Sequence, residues 1–482
     1  MHLRMPDRRS PAWVLIEGGT SAVLSLLSML VIGRVIGPAE AGAGAVAIAA
    51  FLLLDVLAAS LFSDALVQWP RLQAIHARTA LTTAVLLGLG TATVLATTAP
   101  LLEMVADQPG MVWLLLALAP LLPFSAFSGV ASALAAREQR FRLLALRVLV
   151  AQPIALGAGL AAAAAGFGAW AIVVNQIVVT MLVFVLFVAV GRVPLHPALD
   201  RAALRDLWPV AGPQIGALVL MLGRYRVFIL ALGVVVAEAV LAQAHFAFRL
   251  LDAALSVVWQ ATRGIATPRL CAVQGDRAAL ARCYGQVIQL HALIGLPVAL
   301  GVALVAHDLV AALLGPDWAG MADAARIAGL AAAFSFLHGN HFSLFIATGQ
   351  ARWNLRLAAL DLGIPLLVLA AFLPRTPEGI ALAWASQHIL AVPLAAGLVL
   401  RELGRSPLWL LRQAWPAIAG AGALVPAVLL AQAALPEAAA LPRLVIGSAA
   451  GALAYVVVAW LALGWRLPAA VRRGAAWSER GA

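Results

Sequence analysis

One apolar stretch carries six polar residues whose types and spacing could do chemistry together. His245, Arg249, Asp252, Ser256, Gln260 and Arg263 recur at steps of three or four, so on a helix they share one face. A guanidinium is a planar fork of donors that matches phosphate oxygens, so a wet wall lined in this way can hold a diphosphate. Arg249 is the leading candidate for that contact, with Asp252 and His245 beside it. A plainer reading competes with it: Arg249 and Asp252 stand three residues apart and can simply neutralise one another.

Other ionisable residues also interrupt apolar runs. Arg224 and Arg226 are two positions apart and point to nearly opposite faces of a helix, so only one of them can line a narrow cavity. Glu17 shares a face with Ser21, Ser25 and Ser28, and Asp55 stands near the middle of the next run, with Asp64 and Gln68 towards its end. Asp361 is alone in a later run. Glu17, Asp55 and Asp361 are candidates for ion coupling or for balancing the arginines, although Glu17 reads equally well as a carboxylate at the membrane surface. His338 and His341 share a face with Ser335 and Thr348. Two imidazoles without a carboxylate make a poor metal site, and hydrogen bonds between helices account for them better. Asn175 and Gln176, and Gln387 with His388, serve packing or the pathway; the sequence does not separate the two.

No phosphate-binding loop, nucleophile elbow or metal-binding helix motif is present, so the chain lacks the signatures of an ATP-driven pump or membrane hydrolase. The expectation is a protein that is not an enzyme, holds no cofactor or metal, and draws energy from a gradient or a partner. Cys271 and Cys283 fall in one expected cytoplasmic connection and are assigned neither a disulfide nor a metal.

The elements that position these residues follow from composition. Of 482 residues, 63% are hydrophobic and 11% charged, with a mean hydropathy of +0.99, so the chain needs lipid as its solvent. The formal charge of +11 does not signal nucleic acid, because the basic residues, all arginine, form short clusters between apolar runs rather than a continuous basic face.

A bilayer core of about 30 Å needs about 20 helical residues. Fourteen such runs occur, at 12–32, 41–68, 79–102, 111–135, 143–165, 169–190, 208–233, 238–263, 282–306, 323–347, 355–373, 379–400, 411–433 and 443–464. Alternate connections differ sharply in arginine content: 25 fall on one side and four (Arg34, Arg326, Arg375 and Arg443) on the other. By the positive-inside rule both termini are cytoplasmic. Arg4, Arg8 and Arg9 precede the run from Ala12, which reads as a retained first helix. Pro197–Leu207 alternates leucines with charges, as an interfacial helix between two lobes would. GPAEAG at 37–42 and GVVVAEAV at 233–240 form a weak internal echo of the same two-lobe plan.

The fold class expected is therefore all-α and polytopic, with lobes at 1–196 and 197–404 and a pair of helices with a cytoplasmic tail at 405–482. Several segments carry a family likeness: LSLLSMLVIGRVIGPAEAG at 24–42, ALVQ at 65–68, REQRFRLLA at 137–145, GFGAWAIVVNQ at 166–176, LLGPDW at 313–318 and ATGQAR at 347–352. In these the chain resembles the polysaccharide-transporter branch of the multidrug/oligosaccharidyl-lipid/polysaccharide flippase superfamily, and most of all its colanic-acid exporter type. The likeness spans about residues 12–400. Where relatives commonly keep an Asp and glycines before ALVQ, this chain has Ala59, Leu61 and Ser63, and it has Arg226 where an acidic residue is frequent.

The resemblance implies two six-helix lobes around a cationic central cavity, two further carboxyl-terminal helices, and alternating access that carries a polyprenyl-diphosphate-linked oligosaccharide outward across a bacterial inner membrane. Its implied partners are the lipid-linked oligosaccharide, membrane lipid, and a polysaccharide polymerase or export machinery. The rival readings are a drug or small-metabolite antiporter of the same superfamily, which typically stops at twelve spans, and an oligosaccharide polymerase or ligase. The last two spans, with Arg466, Arg472 and Arg473 after them, count against the antiporter. The polymerase or ligase would need a long external loop, and none here exceeds about 20 residues by the span limits.

Overall fold

The computed structural model describes residues 12–191, 193–194, 196–221 and 223–465. The terminal arginines Arg4, Arg8, Arg9, Arg466, Arg472 and Arg473, and the side chains of Gln260 and Arg263, lie outside that description. Every described secondary-structure element is helical. Lipid offers no partner for amides and carbonyls, and a helix satisfies both within one segment. The chain divides into two compact units, Met1–Ala242 and Gln243–Ala482.

The first unit begins with α1 (Ala12–Ser60), which holds two of the expected spans in one helix kinked at Gly37, where φ is 80° and ψ 170°. Glycine accepts that conformation and Pro38 reinforces it, because a residue preceding proline is driven away from the helical region. Then come α2 (Ser63–Gln68), α3 (Ala74–Ala106), α4 (Met111–Leu118), α5 (Leu121–Arg137), α6 (Phe141–Ala164), α7 (Trp170–Val190), α8 (Arg201–Met221) and α9 (Arg224–Val235). Phe62, Leu66, Phe127, Leu143, Leu144, Phe187 and Leu207 form one buried core in it. Helices close in where side chains are small: a Cβ on Gly129 of α5 would lie 2.0 Å from the Ala59 carbonyl oxygen of α1.

Helix α10 (Glu238–Cys271) runs from the first unit into the second, which continues with α11 (Arg277–Leu313), α12 (Ala319–Ser335), α13 (His341–Ala347), α14 (Arg352–Phe372), α15 (Pro377–Leu403), α16 (Pro407–Ala433) and α17 (Ala440–Ala462). Helices α16 and α17 interlock where Gly420 meets Tyr455 and Gly451 meets Val428. Large apolar side chains stay uncovered along the outer faces, Leu367 at 72% and Phe372 at 78% exposure among them, as lipid-facing helices require.

Among the described residues ten helical segments are long and apolar enough to cross a membrane, the first being Glu17–Gln68, which takes in two of the fourteen expected runs. Some local expectations are corrected. The runs 208–233 and 323–347 are each divided between two helices, α8 with α9 and α12 with α13, whereas Met111–Arg137 remains one segment long and apolar enough to cross despite the turn at Ala119–Pro120. Pro197–Leu207 is not a separate interfacial helix, since α8 starts at Arg201 and continues to Met221. Cys271 ends α10 and Cys283 lies inside α11, so the connection between those helices is shorter than expected; neither cysteine is in a disulfide.

Candidate functional site

Two of the family-like segments act as clamps on the backbone. Arg137 donates to the carbonyls of Leu66 at 2.8 Å and Trp69 at 2.7 Å, closing the end of α2. Arg140 does the same for α7 through Val190 and Gly191. Glu40, in the GPAEAG turn, accepts the Ala169 amide at 2.8 Å at the start of α7, and a Cβ on Gly168 would meet its carboxylate at 2.5 Å. Gly42 of the same turn lies against Glu238, where a Cβ would stand 2.1 Å from the carbonyl oxygen, so the two echoing sequences touch. In the second unit Arg277 caps α15 at Arg401 and Glu402. Trp318 of LLGPDW is buried against Phe246 at 4.3 Å between ring centroids. Orphan carbonyls at helix ends must be satisfied, and these arginines satisfy them.

What those clamps leave are charges within the apolar helices. In the first unit Glu17 accepts from Arg147 at 2.7 Å; Arg147 also donates to the Ser132 hydroxyl and lies over the Phe187 ring. Glu17 is thus held in an ion pair among α1, α5, α6 and α7. Asp55 is hydrogen-bonded to Ser125 of α5 and feels the charge of Arg226, while its Oδ1 is sealed without a hydrogen-bond partner. Arg224 and Arg226 are half-buried in the first turn of α9.

The second unit holds the other candidates. Arg249 Nη1 is 3.7 Å from Asp252 Oδ2, so the neutralising pair exists, but loosely. The pair is also accessible: the Arg249 side chain is 39% and the Asp252 side chain 72% exposed, in a helix whose Phe246, Phe248, Leu250, Leu251 and Leu255 are buried. His245, half-buried one turn earlier, feels Arg249. The Ser256 hydroxyl turns back to the Ala253 carbonyl at 3.0 Å. Asp361 is half-buried in α14.

A separate cavity of about 420 Å³ lies between α11, α12, α16 and α17, lined by His307, Asp308, Arg326, Gln432 and Arg443. It contains none of the candidate residues. Among the described residues no group of three or more His, Cys, Asp or Glu could hold a metal ion.

Sequence reasoning missed Arg147, Ser125, Glu40 and His291 as partners. Their signal is a lone polar residue at one end of, or inside, an apolar run, which marks a position without identifying its partner.

A bundle of helices, ten of them long and apolar enough to cross a membrane among the described residues, defines a multi-pass membrane protein. The chain belongs to the polysaccharide biosynthesis protein family Polysacc_synt_3, which matches residues 31–323, more than half its length. No curated sequence matches it. Its fold is that of the lipid II flippase MurJ in an inward closed conformation, at TM-score 0.73 and 14% identity over 93% of this chain and 98% of that one. An inward-facing multidrug resistance MATE family transporter of the MOP superfamily aligns at TM-score 0.63 and 15% identity, over 84% of this chain and 96% of its own. An outward-facing MATE transporter aligns at 0.52 and 14%, over 81% and 94%.

Proposed function

We propose that this protein is a flippase that moves a polyprenyl-diphosphate-linked oligosaccharide across the bacterial inner membrane by alternating access through a wet cationic cavity. The observation that carries the reading is the accessible Arg249 and Asp252 pair on a helix otherwise buried by apolar side chains. Charges inside a membrane are costly unless they face water or a partner, and an exposed guanidinium is a planar fork of donors that matches phosphate oxygens. The family's role in polysaccharide biosynthesis supports a glycan cargo. In this reading residues 1–196 and 197–404 are the lobes, 405–482 adds two helices and a tail, the arginine-rich connections and both termini are cytoplasmic, and no reaction is catalysed.

His245 and either Arg224 or Arg226 extend the cationic wall, and Asp55, Glu17 and Asp361 balance it or couple it to an ion. A polysaccharide polymerase or export assembly would take the delivered glycan. A drug antiporter is the second reading, favoured by the MATE-like fold; helices α16 and α17 favour the first.

The test is glycan export in cells that depend on this chain, comparing Arg249→Ala with Asp252→Ala at matched protein levels. A hydrogen bond from Arg to phosphate contributes about 1.5–3 kcal/mol, so Arg249→Ala lowers export on the order of tenfold or more. Asp252→Ala, which removes the facing carboxylate, retains it. Equal effects of the two substitutions reduce the pair to a structural contact.

A further inference from the structure

Irregular backbone inside a membrane-spanning stretch survives only where protein or a wet cavity satisfies its amides and carbonyls. The stretch 336–340 between α12 and α13 breaks the helix, with Gly339 at φ 79°, within the run 323–347 that the sequence leads one to expect as a span. Four histidines gather round it. His338 belongs to the break, His341 opens α13, His291 comes from α11 and His388 from α15, and each of the other three acts electrostatically on His338.

The backbone of the break is provided for. Tyr284 donates to the His338 carbonyl at 2.9 Å, the Asn340 side chain accepts the Ser343 amide, and Asn354 of α14 donates to the Phe342 carbonyl. The imidazole nitrogens are not so served. His338 Nε2 and His341 Nδ1 share a hydrogen bond at 3.1 Å between stacked rings. His338 Nδ1 is sealed without a well-formed bond, the Ser335 carbonyl acting on the ring. His291, fully buried, bonds Thr262 of α10 through Nδ1 at 3.1 Å and leaves Nε2 without a partner against Trp259 and Phe336.

Buried ring nitrogens without partners cost free energy that a phenyl ring in the same place would not. Packing alone therefore does not account for them. Histidine is the side chain that binds and releases a proton near neutral pH.

We propose that His338 and His341 form a proton-binding site in the second unit, loaded with one proton at a time and coupled to the transport cycle. The coupling rests on the flippase reading; the proton site does not. A solvent proton adds to a ring nitrogen lone pair, and the N–H···N bond persists as an imidazole–imidazolium pair. His291 and His388 set a repulsive limit against a second charge, Tyr284 bonds only the backbone, and α10 contributes Thr262 and Trp259. A cation in so dry a contact disfavours the closed break, so loading shifts the unit towards a state in which the break is wetted.

The test uses the full chain in lipid nanodiscs with nitrogen-15 histidine, observed by NMR over about pH 5 to 8, the window of histidine titration. Two coupled signals should take up one proton between them, and either His338→Gln or His341→Gln should abolish the joint titration, whereas His307→Gln should leave it. Rings that stay neutral throughout in the wild type overturn the site, with no variant needed. In proteoliposomes an imposed pH gradient should stimulate glycan transport about fivefold or more, and His341→Gln should remove that stimulation. Transport that proceeds but ignores the gradient overturns the coupling. A wild type that moves no glycan overturns the flippase reading, and the NMR titration still decides the proton site.

Discussion

Arg147 on α6 donates to Glu17 on α1 across 2.7 Å, joining residues 130 positions apart in sequence. Their side chains are 25% and 17% exposed, so each would be left half-desolvated without the other. Removing one partner strands a charge, whereas removing both does not. Glu17→Ala should lower unfolding stability by about 2 kcal/mol, and Glu17→Ala with Arg147→Ala by less than the two single changes together. Thermal unfolding in detergent of the two single variants and the double variant measures the coupling.

Asp308 on α11, almost fully buried, accepts from Arg443 on α17 at 2.9 Å and from Gln432 on α16 at 3.0 Å, so it fastens the last two helices to their unit. Asp308→Ala should cost about 3 kcal/mol. Limited proteolysis should then cut the α16–α17 connection faster, while Glu437→Ala in that connection should leave the rate unchanged.

Gly129 has no room for a side chain, since a Cβ would lie 2.0 Å from the Ala59 carbonyl oxygen, whereas nothing comes within 4 Å of one on Gly157. Gly129→Ala should cost about 1–3 kcal/mol through the displaced helix contact, and Gly157→Ala should be neutral or slightly stabilising. Yield of folded protein and melting temperature distinguish them.

The periodicity of the chain exposed a good part of this architecture. Bilayer thickness dictates the length of an apolar run, and runs of that length became helices. The His245, Arg249 and Asp252 stripe was legible because three- and four-residue steps fix a helical face without tertiary information. Helix breaks within runs were not legible. Phe336, Leu337 and His338 read as part of one apolar span, and the break is held by Tyr284 from another helix, which no local spacing reveals. The partners of Glu17 and Asp55 were hidden for the same reason: Arg147 and Ser125 come from other helices. The family-like segments were visible as a pattern, but their job of capping helix ends appears only when α2 and α7 stand beside Arg137 and Arg140.

Asp276 caps α11, and the amides of Ala279 and Ala278 hold its carboxylate below the ordinary value of 3.8. A depressed carboxylate contributes stability above its unfolded pKa and loses it as the pH falls through the folded one. Asp276→Asn, which keeps an acceptor without the charge, should flatten the acid limb of the stability profile below about pH 4. Melting temperatures of the two proteins across that range supply the comparison.

The account stands or falls on whether mid-membrane arginine serves a lipid-linked diphosphate. The direct measurement reconstitutes the purified chain in liposomes with a fluorescent polyprenyl-diphosphate oligosaccharide and follows its loss of protection from a membrane-impermeant quencher. The account predicts protein-dependent translocation that Arg249→Ala slows on the order of tenfold and Asp252→Ala does not. Translocation at the rate of protein-free liposomes, or equal rates for Arg249→Ala and wild type, would contradict it.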